Sequence, residues 1–306
     1  MLAAALTVAV AALAACGGGT KTPQPTTPVP TQISAFPYDQ SQPLAVLDRG
    51  RVNANYPIAI RDVSYASGGR RISAFLDAPP AHGRRAAVIY VHGTGGDCRQ
   101  LLLPATWLAG RGAVTLAITA PSADETMPAG LSPLDRLRWE RDIASLDVIA
   151  VRRAIDFLSA RGDVDPERIG YVGWSAGAKT GALLAGSEPR LHALVLMSGG
   201  ATPLPAYAVK APVALRPAIL EYLGAVDPLR LIRRATPGSL LLQDGTKDTV
   251  VPHAALVALA RAAPKRTEVR WYPTGHELSL TAIRNQLAWL TRKLRIGPRV
   301  AGARTG

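Results

Sequence analysis

One serine flanked by two glycines is the feature of this 306-residue chain whose spacing most directly predicts chemistry. The residues read Gly-Trp-Ser-Ala-Gly over positions 173–177, after a strand-like run and before a helix-like one. A sharp strand-to-helix turn of this kind lifts a serine hydroxyl to the edge of a sheet, and glycines two positions away on either side avoid a collision. Ser175 is therefore predicted to be a nucleophile.

A serine hydroxyl is a poor nucleophile unless a base takes its proton. After Ser175, the chain offers an acid and then a histidine, Asp248 and His276, each in a loop that follows a predicted strand. That order and placement fit a Ser-Asp-His triad. His276 is predicted to act first as general base and then as general acid, while Asp248 orients the imidazole and stabilises its charged form.

Other acids and histidines remain open as alternatives. Asp244 lies only four residues before Asp248, but at the end of a strand, where we expect an inward-facing turn role. Asp227 precedes a proline and is typical of a turn or a helix cap. Three histidines occupy a helix start, a linker and a strand, which fit the role of base less well: His253, His82 and His192.

The oxyanion of an acyl-transfer intermediate needs preorganised N–H donors. Ala176, directly after the nucleophile, is predicted to supply one. The second is expected from the glycine-rich loop after the third strand, with Thr94 as the first choice and Gly95 as the next, because glycine-rich backbone turns its amides at little steric cost. His92 is predicted to brace this loop, and Cys98 is expected to be a small buried residue.

The elements around these residues alternate between strand and helix signals. Such alternation predicts an α/β fold with a mostly parallel sheet and helices on both faces, preceded by an antiparallel hairpin of residues 58–65 and 71–76. Two stretches interrupt it, a loop at 120–133 and an Ala/Pro-rich insertion at 202–228 that is a candidate for a small cap. The further strands are expected at 86–91, 113–118, 168–172, 192–197, 239–242 and 269–272, and the helices at 135–160, 176–184 and 279–294.

Taken together, these motifs resemble those of the α/β-hydrolases related to dienelactone hydrolase and to the prolyl-oligopeptidase-like serine esterases, over residues 58–295. The resemblance implies an α/β-hydrolase fold, no cofactor, no metal and hydrolysis of a small-molecule carboxylic ester through an acyl-serine. Dienelactone hydrolases use cysteine where this chain has Ser175, which argues against dienelactone as substrate. Acyl transfer, a peptidase-like activity and a catalytically silent surface-anchored binding protein remain the alternatives.

The composition restricts the partners. Only two cysteines occur, so no disulfide framework is available. The net charge of +13 favours anionic surfaces, although a solvated arginine-rich surface accounts for it equally simply. We find no zinc-finger spacing and no RNA-binding aromatic signature, so no nucleic-acid partner is expected.

The first residues have a composition of their own. An apolar run ends at Cys16 and is followed by three glycines, which resembles the lipidation site of bacterial lipoproteins. An ordinary secretory signal is the alternative, and both imply an exported protein of the cell envelope, on the periplasmic or extracellular face. The predicted organisation is a signal peptide (1–16), a flexible tether (17–40), a catalytic domain (41–297) and a disordered tail (298–306).

Overall fold

The apolar runs of the chain form one nine-stranded sheet in the computed structural model, which describes residues 36–53, 58–80, 83–209 and 213–297. The order across the sheet is β1-β2-β3-β5-β4-β6-β7-β8-β9. The strands are β1 (Leu47–Arg51), β2 (Ile60–Ser67), β3 (Arg70–Asp77), β4 (Arg85–Val91), β5 (Val114–Ile118), β6 (Val164–Trp174), β7 (Leu191–Met197), β8 (Leu240–Gly245) and β9 (Glu268–Tyr272).

The sheet is parallel from β5 through β4 to β9 and antiparallel from β1 to β5. Every residue of β4 and β5 is buried, as continuous apolar runs in the middle of a parallel sheet require. This architecture confirms the predicted mostly parallel sheet with an antiparallel hairpin before it. Because the strands from β4 onward share one direction, the loops after β4, β6, β7, β8 and β9 all leave from the same edge of the sheet.

Helices cover both faces of the sheet, and each face has its own hydrophobic core. One core lies under α2, α3, α6 and α7, with Val151, Leu183, Ile232 and Leu259 among its members. The other lies under α1 and α8. The helices are α1 (Leu102–Ala109), α2 (Pro133–Ser159), α3 (Ala176–Ala185), α4 (Leu204–Ala208), α5 (Arg216–Gly224), α6 (Pro228–Ile232), α7 (His253–Ala262) and α8 (Leu280–Lys293).

The predicted insertion consists of two short helices, α4 and α5, with a 3₁₀ turn at Val213–Leu215 between them. It contacts the long helix α2 through Arg141, whose guanidinium carbon lies 4.1 Å from the centre of the Tyr222 ring. Such a cation–π contact contributes to stability when it is shielded from water. The insertion therefore packs against the body of the domain beside the edge where the catalytic loops emerge.

The folded part begins earlier than the sequence analysis expects. Residues 36–40 fall in the predicted tether, yet Phe36 is completely buried and Tyr38 and Gln40 both donate hydrogen bonds to Asp156 on α2. Burial of an aromatic side chain offsets the entropy lost on ordering such a short segment. In the described part of the chain, contacts with the domain therefore begin at Phe36, within the predicted tether.

Several predictions fall outside the described residues: the signal peptide with Cys16, residues 17–35 of the tether, and the tail at 298–306. All described residues belong to a single compact unit of the chain. Within the described part, none of the helices is both long enough and apolar enough to cross a membrane.

Candidate active site

The turn between β6 and α3 has the backbone geometry that the sequence predicts. Ser175 adopts φ 54° and ψ −110°, a strained conformation for a residue with a side chain. Its amide donates to the carbonyl of Met197 over 2.8 Å, which continues the β6–β7 pairing up to the serine itself. The hydroxyl therefore stands on a rigid support at the carboxyl edge of the sheet, directly before the amino end of a helix.

The glycine after this serine makes the close approach possible. A Cβ at Gly177 would lie 2.4 Å from the carbonyl oxygen of Val91, so no side chain fits there. The Gly177 amide donates to the carbonyl of His92 over 3.1 Å. The first turn of α3 is thereby joined to the glycine-rich loop after β4, which brings the predicted nucleophile and the predicted oxyanion loop side by side.

His276 and Asp248 form a direct pair. The imidazole Nδ1 lies 2.8 Å from Asp248 Oδ2, and because a carboxylate only accepts, Nδ1 is the protonated nitrogen. The other carboxylate oxygen, Oδ1, accepts from the amides of Val250 and Val251 over 2.8 and 2.9 Å. Burial alone would raise the pKa of Asp248, but these bonds and the facing His276 hold it below its usual range.

The loops that carry this pair are fixed to each other by their backbones. The amides of Thr246 and Lys247 donate to the carbonyls of Tyr272 and Thr274. A Cβ at Gly245 would lie 2.1 Å from the carbonyl oxygen of residue 275, so only glycine allows this approach. The separation between Asp248 and His276 is therefore set by backbone hydrogen bonds as well as by their side chains.

A second set of contacts joins the histidine loop to the serine turn. The carbonyl of His276 accepts hydrogen bonds from Trp174 Nε1 over 3.2 Å and from Ser198 Oγ over 2.8 Å. The rings of Trp174 and His276 lie 5.2 Å apart. Among the described residues no hydrogen bond joins Ser175 Oγ to the imidazole, an arrangement common in hydrolases without substrate.

Two backbone amides near Ser175 are without an acceptor in the described part of the chain. They belong to Thr94 and Ala176, the predicted oxyanion donors, and the amide of Gly95 is in the same condition. The neighbouring Gly93 amide, in contrast, donates to Gln100 Oε1 over 2.8 Å. The loop therefore presents free donors only beyond Gly93, where an oxyanion beside Ser175 could use them.

His92 braces the glycine-rich loop from beneath. Its Nε2 accepts from the amide of Ala120 over 2.9 Å, so Nδ1 carries the proton and donates to the carbonyl of Gly93 over 2.6 Å. Burial lowers the pKa of His92, which favours this neutral form. With both ring nitrogens occupied, His92 has the bracing role expected from the sequence and no nitrogen left for Ser175.

Solved structures with a similar fold include two acetyl xylan esterases. The structure matches acetyl xylan esterase 1 from Thermoanaerobacterium sp. JW/SL YS485 with a TM-score of 0.68 at 18% identity, over 83% of this chain and 88% of that one. It matches an acetyl xylan esterase from Paenibacillus sp. R4 with a TM-score of 0.68 at 19% identity, over 82% and 90%. The chain has the α/β-hydrolase fold.

The chain is similar in sequence to the curated protein "Putative esterase NocK" of Nocardia uniformis subsp. tsuyamanensis. The two are 29% identical over 224 residues, which cover 71% of this chain. The matched part spans 61% of the length of NocK. No family model matches the chain.

The competing acids and histidines of this α/β-hydrolase have other surroundings. Asp227 caps α6 by accepting from the Leu229 amide over 2.9 Å, as expected. His253 begins α7, with its ring 5.1 Å from that of Trp271, and His192 lies in β7, 4.0 Å from a carboxylate oxygen of Glu167. His82 lies outside the described residues. None of the described alternatives faces His276 or Ser175 through a hydrogen bond.

Asp244 differs from the expectation. It lies within β8 rather than in a turn, and its carboxyl group is buried, with no hydrogen-bond partner for Oδ1 among the described residues. Burial raises its pKa to about 7, and the nearby charge of Asp248 adds to the shift. A carboxyl group in this state is neutral over much of the acidic range, so it is a poor orienting partner for a charged imidazole.

The remaining site contacts were not foreseen from the sequence. These contacts depend on how separate loops meet in space. Gln100 accepts a hydrogen bond from the Gly93 amide, and the His276 carbonyl accepts hydrogen bonds from Trp174 and Ser198. The described residues contain no group of three or more His, Cys, Asp or Glu side chains arranged to hold a metal ion.

Proposed function

We propose that this α/β-hydrolase is a carboxylic ester hydrolase that acts through an acyl-serine intermediate. Ser175 is the nucleophile, His276 the general base and Asp248 the orienting acid. The observation that carries the proposal is the 2.8 Å bond from His276 Nδ1 to an Asp248 carboxylate whose other oxygen is fixed by two amides. That bond leaves Nε2 as the unprotonated nitrogen, which is the form a base needs.

The reaction has two halves. In the first, His276 takes the proton of Ser175 Oγ as that oxygen attacks the ester carbonyl, and then returns the proton to the departing alcohol. In the second, His276 takes a proton from a water molecule as that water attacks the acyl-serine, and then returns the proton to Ser175 Oγ as the acyl–oxygen bond breaks and the acid leaves. The amides of Ala176 and Thr94 stabilise the negative oxygen in both tetrahedral intermediates, where donors of this kind act most strongly.

A cavity of about 180 Å³ lies between the loop that follows Asp248, helix α3 and the insertion. Its walls come from the loop after Asp248 at Val250 and Val251, from Lys179 on α3 and from Leu204 and Leu223 of the insertion. A space of this size suits a short acyl chain, so the proposed substrates are small to medium esters.

A panel of p-nitrophenyl esters with graded acyl chains tests the proposal. We expect kcat/KM to rise by up to about fourfold per methylene from acetate and to stop rising by about hexanoate, because each buried methylene gains about 0.8 kcal/mol while methylenes that stay in water gain nothing. Labelling of the folded protein by a fluorophosphonate provides the parallel readout. If no ester is hydrolysed and Ser175 is not labelled, a silent binding protein is favoured. If Ser175 is labelled and the acyl group is transferred to an added alcohol, an acyltransferase is favoured.

We further propose that the protein is exported and anchored to a membrane of the cell envelope through a lipid on Cys16. The support is the apolar run before Cys16 and the three glycines after it. Cells that express the chain and are fed labelled palmitate should incorporate the label into the protein, and Cys16→Ser should abolish it. Secretion of the wild-type chain without label would instead indicate an ordinary signal peptide.

A further inference from the structure

An arginine-lined cavity lies at the amino edge of the sheet, away from Ser175. It measures about 350 Å³, and five of its lining residues are arginines: Arg84, Arg85, Arg111, Arg168 and Arg295. Strand β4 runs 7 residues from Arg85 to Val91, the edge where Ser175 stands. At about 3.3 Å per residue, the two ends are about 20 Å apart, so this cavity is separate from the proposed catalytic site.

The charges around this cavity are unbalanced. No aspartate or glutamate is among the described residues that line it. Of the five arginines only Arg168 has a salt bridge in the described part of the chain, to Asp165 over 2.8 Å. Most other buried or half-buried arginines of this protein do face carboxylates, as Arg153 and Arg190 do with Asp156. Like charges gathered without a counter-ion repel each other, and a bound anion would relieve that repulsion.

Arg85 provides an independent indication. It is 8% exposed, and its Nε has no hydrogen-bond acceptor within the described residues. Burial lowers the pKa of Arg85, and the charge of Asp163 counteracts that effect. A buried guanidinium with a free donor is costly unless an acceptor reaches it. The remaining guanidinium contact goes to the backbone, where one terminal nitrogen donates to the carbonyl of Pro79.

Arg168 fixes the walls of the cavity. Its terminal nitrogens donate to the carbonyl of Arg84 over 2.9 Å and to the carbonyl of Arg295 over 3.2 Å, which joins two separate segments of chain. The opposite wall follows α1, where Arg111 lies 3.5 Å from the Thr291 hydroxyl of α8. Both segments are anchored below by buried apolar side chains, among them Leu294 and Ile296. Arg85 and Arg168 are therefore held in place, whereas Arg84, Arg111 and Arg295 are exposed to solvent.

We propose that this cavity is a binding site for a phosphate-type oxyanion, either free or as part of a phosphate ester. Guanidinium groups present planar pairs of donors that match phosphate oxygens, and several of them can share one anion. The volume is sufficient for a phosphate group with a small substituent. The site binds its ligand independently of the ester hydrolysis at the other edge of the sheet.

Titration calorimetry of the full chain with inorganic phosphate, at low ionic strength and neutral pH, is the direct test. We expect saturable binding to the wild type and a loss of affinity of about 100-fold or more in Arg84→Gln/Arg111→Gln, because two charge-assisted bonds are removed and each contributes at least about a factor of ten. Arg233→Gln/Arg261→Gln removes the same charge from the residue after α6 and from α7 and is the matched control, with an expected change below about twofold. Ester hydrolysis should be unchanged in both, which confirms the fold.

Three results would overturn the proposal: no saturable phosphate binding to the wild type, an equal loss in both double variants, or full affinity in Arg84→Gln/Arg111→Gln. Arg85→Gln adds a check on the buried donor, with near-ultraviolet circular dichroism to verify folding. Vesicles of phosphatidylcholine with phosphatidylglycerol identify the source of the anion. If the wild type binds these vesicles, inorganic phosphate displaces it and the Arg84/Arg111 variant does not bind, the anion is a lipid headgroup. If both proteins bind the vesicles equally, the anion is a free phosphate ester.

Discussion

Replacing Ser175 with alanine is expected to lower kcat/KM for p-nitrophenyl acetate by about 10⁴-fold or more, with little change in stability. The substitution removes the atom that forms the acyl-enzyme and leaves the backbone of the elbow in place. Activity above the uncatalysed rate should persist at a low level, because the amides of Thr94 and Ala176 still stabilise an oxyanion formed by direct attack of water.

Ser41→Ala is the matched control for that measurement. Ser41 is exposed, and its hydroxyl donates only to Asp39 over 2.6 Å in the described structure. We expect full activity and full fluorophosphonate labelling from Ser41→Ala, and neither from Ser175→Ala. Retention of about a tenth of the wild-type kcat/KM by purified Ser175→Ala would remove Ser175 from the mechanism.

The order of the elements and the position of the elbow were predictable because their signals are local. Buried strands of a parallel sheet are short apolar runs, and the elbow needs glycines at fixed spacing from its serine. The helices with a single apolar face followed the same logic. Ser132 and Ser279 begin α2 and α8 with their hydroxyls accepting from the helix amides, close to the predicted starts.

Helix α1 and strand β1 are among the elements that the sequence analysis missed, because their signals are ambiguous. Helix α1 contains Pro104 and is apolar almost all the way round, so its sequence shows no helical periodicity. Strand β1 is short and exposed, and its pairing shifts register between Asp48 and Gly50. A bulged edge strand of that kind carries few apolar residues in alternation. Neighbouring strands, rather than local preference, determine its conformation.

The start of the folded domain was set too late for a similar reason. Phe36 stands in a segment rich in threonine and proline, where one aromatic residue does not alter the composition. Its burial depends on partners far away in the sequence, since Arg152 donates to its carbonyl and Asp156 binds Tyr38. The composition of a segment indicates whether the segment can fold by itself, but it does not show whether one of its side chains is buried against a distant part of the chain.

The order of residues in the sequence does not decide whether Asp248 or Asp244 is the acid that orients His276. Replacing each by asparagine distinguishes the two. Asp248→Asn is expected to reduce kcat by about 10³- to 10⁴-fold, because an amide facing Nδ1 no longer selects the tautomer with a free Nε2 or stabilises the imidazolium. Asp244→Asn should change kcat by less than about threefold, since its side chain has no hydrogen bond to His276.

Stability distinguishes the same two variants through its pH dependence. The pKa of Asp244 is raised to about 7 in the folded protein, from an ordinary value of 3.8. The folded state therefore binds this proton more tightly than the unfolded state does, and the contribution of Asp244 to stability falls as pH rises from about 4 to about 7. Asparagine cannot ionise, so Asp244→Asn should gain about 2 kcal/mol over wild type between pH 5 and pH 8.

Asp248→Asn should behave oppositely. The folded-state pKa of Asp248 is lowered, so its carboxylate contributes stability above its ordinary pKa that is lost as pH falls. Urea unfolding at pH 5 and pH 8 measures the Asp244 difference, and unfolding at pH 5 and about pH 3, below the ordinary pKa of an aspartate, measures the Asp248 difference. Hydrolysis of p-nitrophenyl acetate at pH 8 by the same samples measures kcat. If Asp244→Asn loses activity while Asp248→Asn retains it, Asp244 is the orienting acid. In that case the 2.8 Å bond between Asp248 and His276 does not represent the working enzyme.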